Sequence, residues 1–282
     1  MRANDQARTS LPWLPAGALI AAVGAGLALF WVGDAPPSYS LVNGGALLVA
    51  LAAMVAAGRA RCGRTCAVWI VALGIAGIAA TLVAGPDIDG VRRWIALGPV
   101  RLHAAMLLLP AVLAALPRLR GNWRLAPVAG AATVFAVQPD PAAALALVCG
   151  CALSEWYGRR SAASLLVLLV AIAGLAAALV RDTPLEPVPF VESVVQDGFA
   201  LQPALGVLLA TTLLFAIAAP MFMRGSDRAV NGGIAGCWLG FAAASLLGPY
   251  PTPLAGYGAA AIGYGLAIAV SRAIASFRIG SG

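Results

Sequence analysis

Apolar residues fill this chain in ten stretches, at about 14–32, 41–57, 66–84, 102–116, 126–138, 141–156, 161–180, 199–222, 230–247 and 253–272, separated by short clusters of Arg, Pro, Gly and Asp. A helix needs about 20 apolar residues to cross the hydrocarbon core of a bilayer, so the pattern predicts helices that meet lipid instead of water. The fifth and sixth stretches are short and are divided only by Gln138, Pro139 and Asp140. Pro139 and Pro141 disfavour a continuous helix there and predict a tight helical hairpin. The expected architecture is all-α: one polytopic membrane domain over residues 1–282, about ten transmembrane helices, and short loops.

Composition and charge sharpen this picture. The 282 residues are 61% hydrophobic and 10% charged, against about 25% charge in a soluble domain, which excludes a water-soluble fold. The formal net charge of +7 comes from 18 basic residues, all arginine. They are scattered between apolar stretches and form no single basic patch, which argues against nucleic-acid binding. Their distribution reports topology. With the N-terminus inside and ten spans, fourteen arginines fall on the inner side and only Arg92, Arg93, Arg101 and Arg181 on the outer, while eight of the eleven acids fall outside. That asymmetry follows the positive-inside rule and predicts both termini in the cytoplasm. The first apolar run has the basic flank of a signal peptide but is long for one and lacks a clear cleavage site, so a retained first span is expected. Cys62, Cys66, Cys149, Cys151 and Cys237 have neither zinc-finger nor disulfide-framework spacing, and reduced structural thiols are expected.

Two outer segments are longer than turns: Gly85 to Arg101, and Arg181 to about Gly198. In the first, Asp87, Asp89, Arg92, Arg93 and Trp94 stand beside Gly98 and Pro99 at the membrane edge. One reading gives Arg92 and Arg93 to a phosphate, which a guanidinium pairs bidentately, with Trp94 as a headgroup-level anchor. The other gives them to Asp87 or Asp89 as internal ion pairs, with snorkelling toward lipid phosphates. His103 is the only histidine and has no partner set for a metal site; no metal or cofactor is expected. Glu155 is placed to pair with Arg159 one helical turn on. Tyr250, Tyr257 and Tyr264 are either cavity-lining or part of close helix packing with neighbouring glycines.

The run Gly90-Val91-Arg92-Arg93-Trp94-Ile95-Ala96-Leu97-Gly98 resembles the Gly-x-x-Arg-Trp-x-x-Leu-Gly signature of the SEDS family, the FtsW and RodA type of cell-wall polymerases. Further features follow in the family's order. Gln138-Pro139-Asp140 is similar to its Gln-Pro-Asp hairpin, Leu205-Gly206 and Met223-Arg224-Gly225 to features of its eighth span, and Pro251-Thr252-Pro253-Leu254-Ala255-Gly256-Tyr257-Gly258 to the run that opens its tenth. The resemblance covers most of the chain from Gly85 onward. It implies a multi-pass protein of the bacterial inner membrane that handles a polyprenyl-pyrophosphate-linked glycan intermediate, as lipid II is, at the outer face, beside a transpeptidase or other membrane-protein partner. It also implies substrate-binding roles for Arg92, Arg93, Trp94, Gln138, Asp140 and Tyr257.

The departures bear on activity. Where the family has a Glu followed by a Lys one turn on, this chain has Met106 and Leu109; its Leu-Gly-Thr after the Gln-Pro-Asp becomes Pro141-Ala142-Ala143, and the Ser before the tenth-span Tyr becomes Gly256. Ionisable residues inside membranes are costly and usually functional, so their loss points to reduced or absent catalysis. In active family members the loop between the seventh and eighth spans is long and carries the proposed catalytic base. Here it is short, and Asp182 is the nearest candidate, with Glu186, Glu192 and Asp197 as alternates, since activating a sugar hydroxyl requires a carboxylate within reach. The leading expectation is a binding protein for a lipid-linked intermediate or a partner polymerase. The alternatives are an active minimal peptidoglycan glycosyltransferase using Asp182, and a lipid-linked substrate flippase or accessory subunit of a larger membrane complex.

Overall fold

The structure is a computed structural model that describes residues 12–57, 60–119, 121–158, 161–181 and 188–280. The chain folds into a helical bundle whose elements run α1 (Trp13–Val32), α2 (Pro37–Ala56), α3 (Arg64–Ala84), β1 (Trp94–Leu97), β2 (Val100–His103), α4 (Ala104–Ala115), α5 (Leu125–Val137), α6 (Pro141–Tyr157), α7 (Ala162–Leu179), α8 (Val194–Leu201), α9 (Pro203–Ala218), α10 (Arg228–Leu247) and α11 (Gly258–Gly280). Among the described residues, seven helices are long and apolar enough to cross a membrane, by length and composition: α1, α2, α3, α7, α9 with its 3-10 extension, α10 and α11. The α4, α5 and α6 helices are shorter apolar pieces of 12, 13 and 17 residues. This is a multi-pass membrane protein.

Local chemistry sets the helix starts. The side chains of His103, Asp140, Ser161 and Asp227 each accept a hydrogen bond from a backbone N–H of the following turn, capping α4, α6, α7 and α10, which satisfies donors that a helix leaves open at its beginning. The expected hairpin between the fifth and sixth stretches is present: α5 stops at Val137, Asp140 caps α6, and Pro141 stands in the first turn.

Two features differ from the pattern-based expectation. The segment after Arg92 forms an antiparallel two-stranded hairpin in register Trp94 to His103 and Leu97 to Val100, so the helical part of the fourth stretch begins at Ala104. The stretch expected from 199 to 222 is broken as well. An eight-residue helix, α8, ends at Leu201, and α9 starts anew at Pro203 because proline fits the first turn of a helix but not its interior.

The bundle is organised around α10. In that helix 78% of the apolar window is buried, against 22–28% in α2, α3 and α7, whose free faces are available to lipid. Close approach explains the difference. Gly232, Gly236 and Gly240 recur every four residues along one side of α10, and a methyl group at any of them would run into the backbone of α6 at Leu153, Cys149 or Ala146. Small residues at this spacing let two helix backbones touch where lipid provides no hydrophobic drive to associate. The α11 helix packs in the same way: Gly263 lies under the Met106 carbonyl of α4 and Gly265 against Ala50 of α2. Trp238, Phe241 and Tyr264 fill the centre, with no accessible surface, and the Tyr264 hydroxyl donates to the Ala216 carbonyl at 2.9 Å.

On the Arg-rich side, Glu155 is paired with Arg124 at 2.7 Å and accepts from Ser164 at 2.5 Å. The partner expected for it, Arg159, lies outside the described residues.

Candidate outer-face site

The site is built on the connection from α3 to α4. Asp89 and Gly90 form a tight turn, with φ of 49° and 79° and the Ile88 to Val91 bridge closing it; an Asp-Gly pair takes this conformation at little steric expense. Asp87 organises the turn from outside. Its Oδ1 accepts from the Gly90 N–H at 2.9 Å and its Oδ2 from Arg92 Nε at 3.0 Å. Arg92 is half-exposed and engaged in this pair. One residue later the environment reverses.

Arg93 is 3% exposed and points inward to Asp140, which is completely buried, with Nη1 3.7 Å from Oδ1. The Asp140 Oδ2 lies 3.1 Å from His103 Nε2. His103 Nδ1 accepts from the Met106 N–H, so the ring proton resides on Nε2, facing the carboxylate. Burial alone raises the Asp140 carboxyl, but the His103 ring, the Arg93 guanidinium and the Ala143 N–H outweigh it and hold it below the usual carboxylate range. Gln138 completes the cluster. Its Nε2 donates to Thr81 Oγ1 at 2.5 Å and to the Arg92 carbonyl at 2.9 Å, tying the hairpin to α3 and α5. The Arg93 guanidinium lies 4.9 Å from the Trp94 ring centre, in cation–π range. Yet Arg93 Nε and Nη1 and Asp140 Oδ2 make no aligned hydrogen bond among the described residues, so the cluster is held by charge more than by directed bonds.

Beside this cluster opens a cavity of about 450 Å³. Ser38, Tyr39 and Asn43 face it from α2, Arg101 from β2, Val191 from the segment before α8, and Tyr257 from the start of α11. The Tyr257 hydroxyl donates to the Arg101 carbonyl at 2.7 Å, fixing the rim. Asn43 is 4% exposed; its Nδ2 donates to the Tyr39 carbonyl at 2.9 Å, which orients the amide and leaves the buried Oδ1 without a partner among the described residues. The Arg101 side chain is exposed and makes no ion pair with a described residue. None of the described residues lining the cavity is a carboxylate.

The nearest described acids of the second outer segment lie outside that lining. Glu192 is 7% exposed, accepts from the Val188 N–H at 3.3 Å and forms a bridge with Pro251. Burial raises its carboxyl, offset in part by Val188 and Arg93. Asp197 in α8 is raised by burial and lines a separate small cleft with Phe190 and Leu201. Asp182 and Glu186 fall outside the described residues.

No protein-family model and no curated protein sequence matches the chain. The three-dimensional comparison does. Two crystal structures of the rod shape determining protein RodA from Thermus thermophilus, one of them an aspartate-to-alanine mutant, superpose with TM-scores of 0.62 and 0.63 at 22% identity, covering 94% of this chain and 96–97% of theirs. A chain from a peptidoglycan synthase complex that coordinates polymerization and crosslinking superposes with a TM-score of 0.61 at 20% identity, over 91% of this chain and 97% of its own. The chain has the SEDS fold.

Placed on that fold, the residues singled out by sequence fall into two groups. Arg93, Gln138 and Asp140 converge in the buried cluster, with Trp94 and Arg92 at its edge, whereas Tyr257 is the one that lines the open cavity. Arg101, Asn43 and Tyr39 were not singled out as binding residues. Arg101 carried a sequence signal, being one of the four arginines that the charge count assigns to the outer side; Asn43 and Tyr39 carried none, because nothing in α2 alone shows that the hairpin and α11 close over it.

Proposed function

We propose that this protein binds a polyprenyl-pyrophosphate-linked glycan intermediate of the cell wall at the outer face of the bacterial inner membrane, and that it holds or presents this ligand without polymerising it. The observation that carries the reading is the cavity between α2, the β1–β2 hairpin and α11. It offers the exposed guanidinium of Arg101, without an ion pair among the described residues, for phosphate oxygens, and the faces of Tyr39 and Tyr257 for a sugar ring. A volume of about 450 Å³ lies within the range of about 300–1,000 Å³ typical of small-molecule sites. The lipid tail would remain in the bilayer beside α2, most of whose surface is free.

The SEDS fold, shared with RodA and with a chain of a peptidoglycan synthase complex, supports a role in cell-wall synthesis beside a membrane-protein partner. The departures from the family pattern, Met106 and Leu109 where it has a Glu and a Lys, support binding over catalysis, because ionisable residues inside membranes are usually functional. The buried cluster then has a supporting part: Arg93, Asp140, His103 and Gln138 set the hairpin at the height where Arg101 and Tyr257 meet.

Gel-resolved polymerisation of fluorescent lipid II by the purified protein, alone and with a transpeptidase, tests the catalytic half of the proposal. No polymer is expected. Polymer that disappears on Asp182→Ala would replace this reading with that of a minimal glycosyltransferase. Direct binding of lipid II to the protein in nanodiscs tests the other half, and binding undiminished by Arg101→Ala would remove the cavity as the site.

A further inference from the structure

The cleft that holds Asp197 lies next to the cavity, with Phe190 facing the one and Val191 the other. Its volume is about 270 Å³, and its described lining is Gly33 just after α1, Pro189 and Phe190 before α8, and Asp197, Ala200 and Leu201 within α8. Asp197 is the one polar side chain among them. It makes no ion pair with a described residue, and residues 182–187 contain no base that could supply one. Burial raises its carboxyl with no described neighbour offsetting the rise, whereas Glu192, five residues earlier, is compensated in part by Val188 and Arg93. A carboxylate set among apolar walls favours an incoming cation that can donate to it.

Tertiary contacts fix the walls. Phe190 takes φ of 63°, in the left-handed region, and its ring packs edge-to-face against Phe30 and Tyr39, with centroids 6.3 Å from each. The Val191 carbonyl accepts from the Thr252 N–H at 2.8 Å, and a methyl group at Gly33 would run into the Phe190 ring. A strained residue held in this way gives a wall that is set before a ligand arrives. The cleft also lies at the level of a bilayer surface. Trp31 and Val32, directly before Gly33, end a membrane-long helix with their side chains exposed, and tryptophan at the end of a span sits among lipid headgroups. Phe199 and Leu201 of α8 are exposed as well.

We propose that this cleft binds the ammonium headgroup of an ethanolamine phospholipid. The ammonium donates to the Asp197 carboxylate, the headgroup methylenes lie against Phe190 and Leu201, and the phosphodiester stays outside the cleft, with the acyl chains in the bilayer beside α1. A glycerol headgroup brings no cation to Asp197, and a choline headgroup brings one without an N–H to donate. The site is separate from the one proposed for a glycan intermediate, because neither Arg101 nor Tyr257 lines it.

The full-length protein in mild detergent is titrated with short-chain phosphatidylethanolamine, phosphatidylglycerol and phosphatidylcholine, and bound lipid is counted by native mass spectrometry. The ethanolamine lipid is expected to bind at least about tenfold more tightly than the other two, the worth of one charge-assisted hydrogen bond. Asp197→Asn, which keeps the size of the side chain, is expected to remove that preference. Asp34→Asn, which neutralises an exposed acid beside Gly33 but outside the lining, is expected to keep it, and so is Arg101→Ala, whose effect belongs to the cavity. The wild-type comparison needs no variant to fold, and the absence of a preference for the ethanolamine lipid over both others overturns the proposal. It is equally overturned if Asp197→Asn retains the preference, or if Asp34→Asn loses it to the same extent.

Discussion

The β1–β2 hairpin separates two polar regions made of the same kinds of residue. Behind it, Arg93 meets Asp140 and His103 with almost no exposed surface; in front of it, Arg101 meets Tyr257 and Asn43 around an open cavity. Both arginines lie in the connection from α3 to α4, eight positions apart. What differs is the partner. A buried guanidinium is tolerated only next to a counter-charge, so Arg93 is committed to the fold, whereas the exposed Arg101 makes no ion pair with a described residue and, in the proposed role, takes a ligand anion. The comparison teaches that burial, not residue type, separates the arginine committed to the fold from the one available to the proposed ligand.

The strongest way to break this comparison is Asp140→Ala. It strands Arg93 as an uncompensated buried charge and is expected to destabilise the protein by about 3–5 kcal/mol, read as a loss of thermal stability in detergent. A change near zero would mean that Arg93 is free to leave the cluster. In front of the hairpin the pattern inverts. Arg101→Ala is expected to leave stability within about 0.5 kcal/mol of wild type while weakening lipid-linked pyrophosphate binding by about 1.5–3 kcal/mol, measured by titration in nanodiscs. A fall in stability with unchanged binding would exchange the roles of the two regions. Gln138→Ala removes the ties to Thr81 and the Arg92 carbonyl and is expected to lower stability by about 1–3 kcal/mol, again in the unfolding measurement.

The smallest expected effect is in the pH profile of stability, where the two acids near Arg93 act with opposite sign. Asp140 is held below the ordinary carboxylate range of about 4. The folded state therefore favours its ionised form, whose contribution is present above that range and is lost as pH falls through the lower folded value. Glu192 is raised by burial. Its neutral form is favoured, and that contribution is present below the ordinary range and lost as pH rises through the raised folded value. Asp140→Asn should flatten the acid limb of a melting-temperature profile and Glu192→Gln the limb above it. Identical profiles in both variants would show that neither carboxyl is coupled to the fold as its position implies.

Much of this was legible in the chain itself. Apolar runs of about membrane thickness dictate helices whatever their neighbours, because an unpaired backbone has no solvent in lipid, and Pro139 and Pro141 mark the break between α5 and α6. The Gly-x-x-Arg-Trp and Gln-Pro-Asp runs carried the resemblance to the SEDS family, and the fold agrees with it. The β1–β2 hairpin was not legible. Its strands are four residues each and fully apolar at Trp94–Leu97, too short and too uniform for a period of two to show. The break at Gln202 was hidden for the same reason, inside one apolar run.

The sequence by itself determined the solvent this protein folds in, the uneven placement of its arginines between apolar runs and the residues Arg93, Gln138 and Asp140 that meet in the buried cluster. Those follow from transfer energies and local sterics, which act on each segment alone. Only the tertiary structure decided that Asp140 reaches back to Arg93 and His103, that Gln138 pins the hairpin, and that Asn43 and Tyr39 share a cavity with Arg101 and Tyr257. Each of those pairings joins segments distant in the chain, and it is the close approach of glycine-striped helices, not any local preference, that brings them within reach of one another.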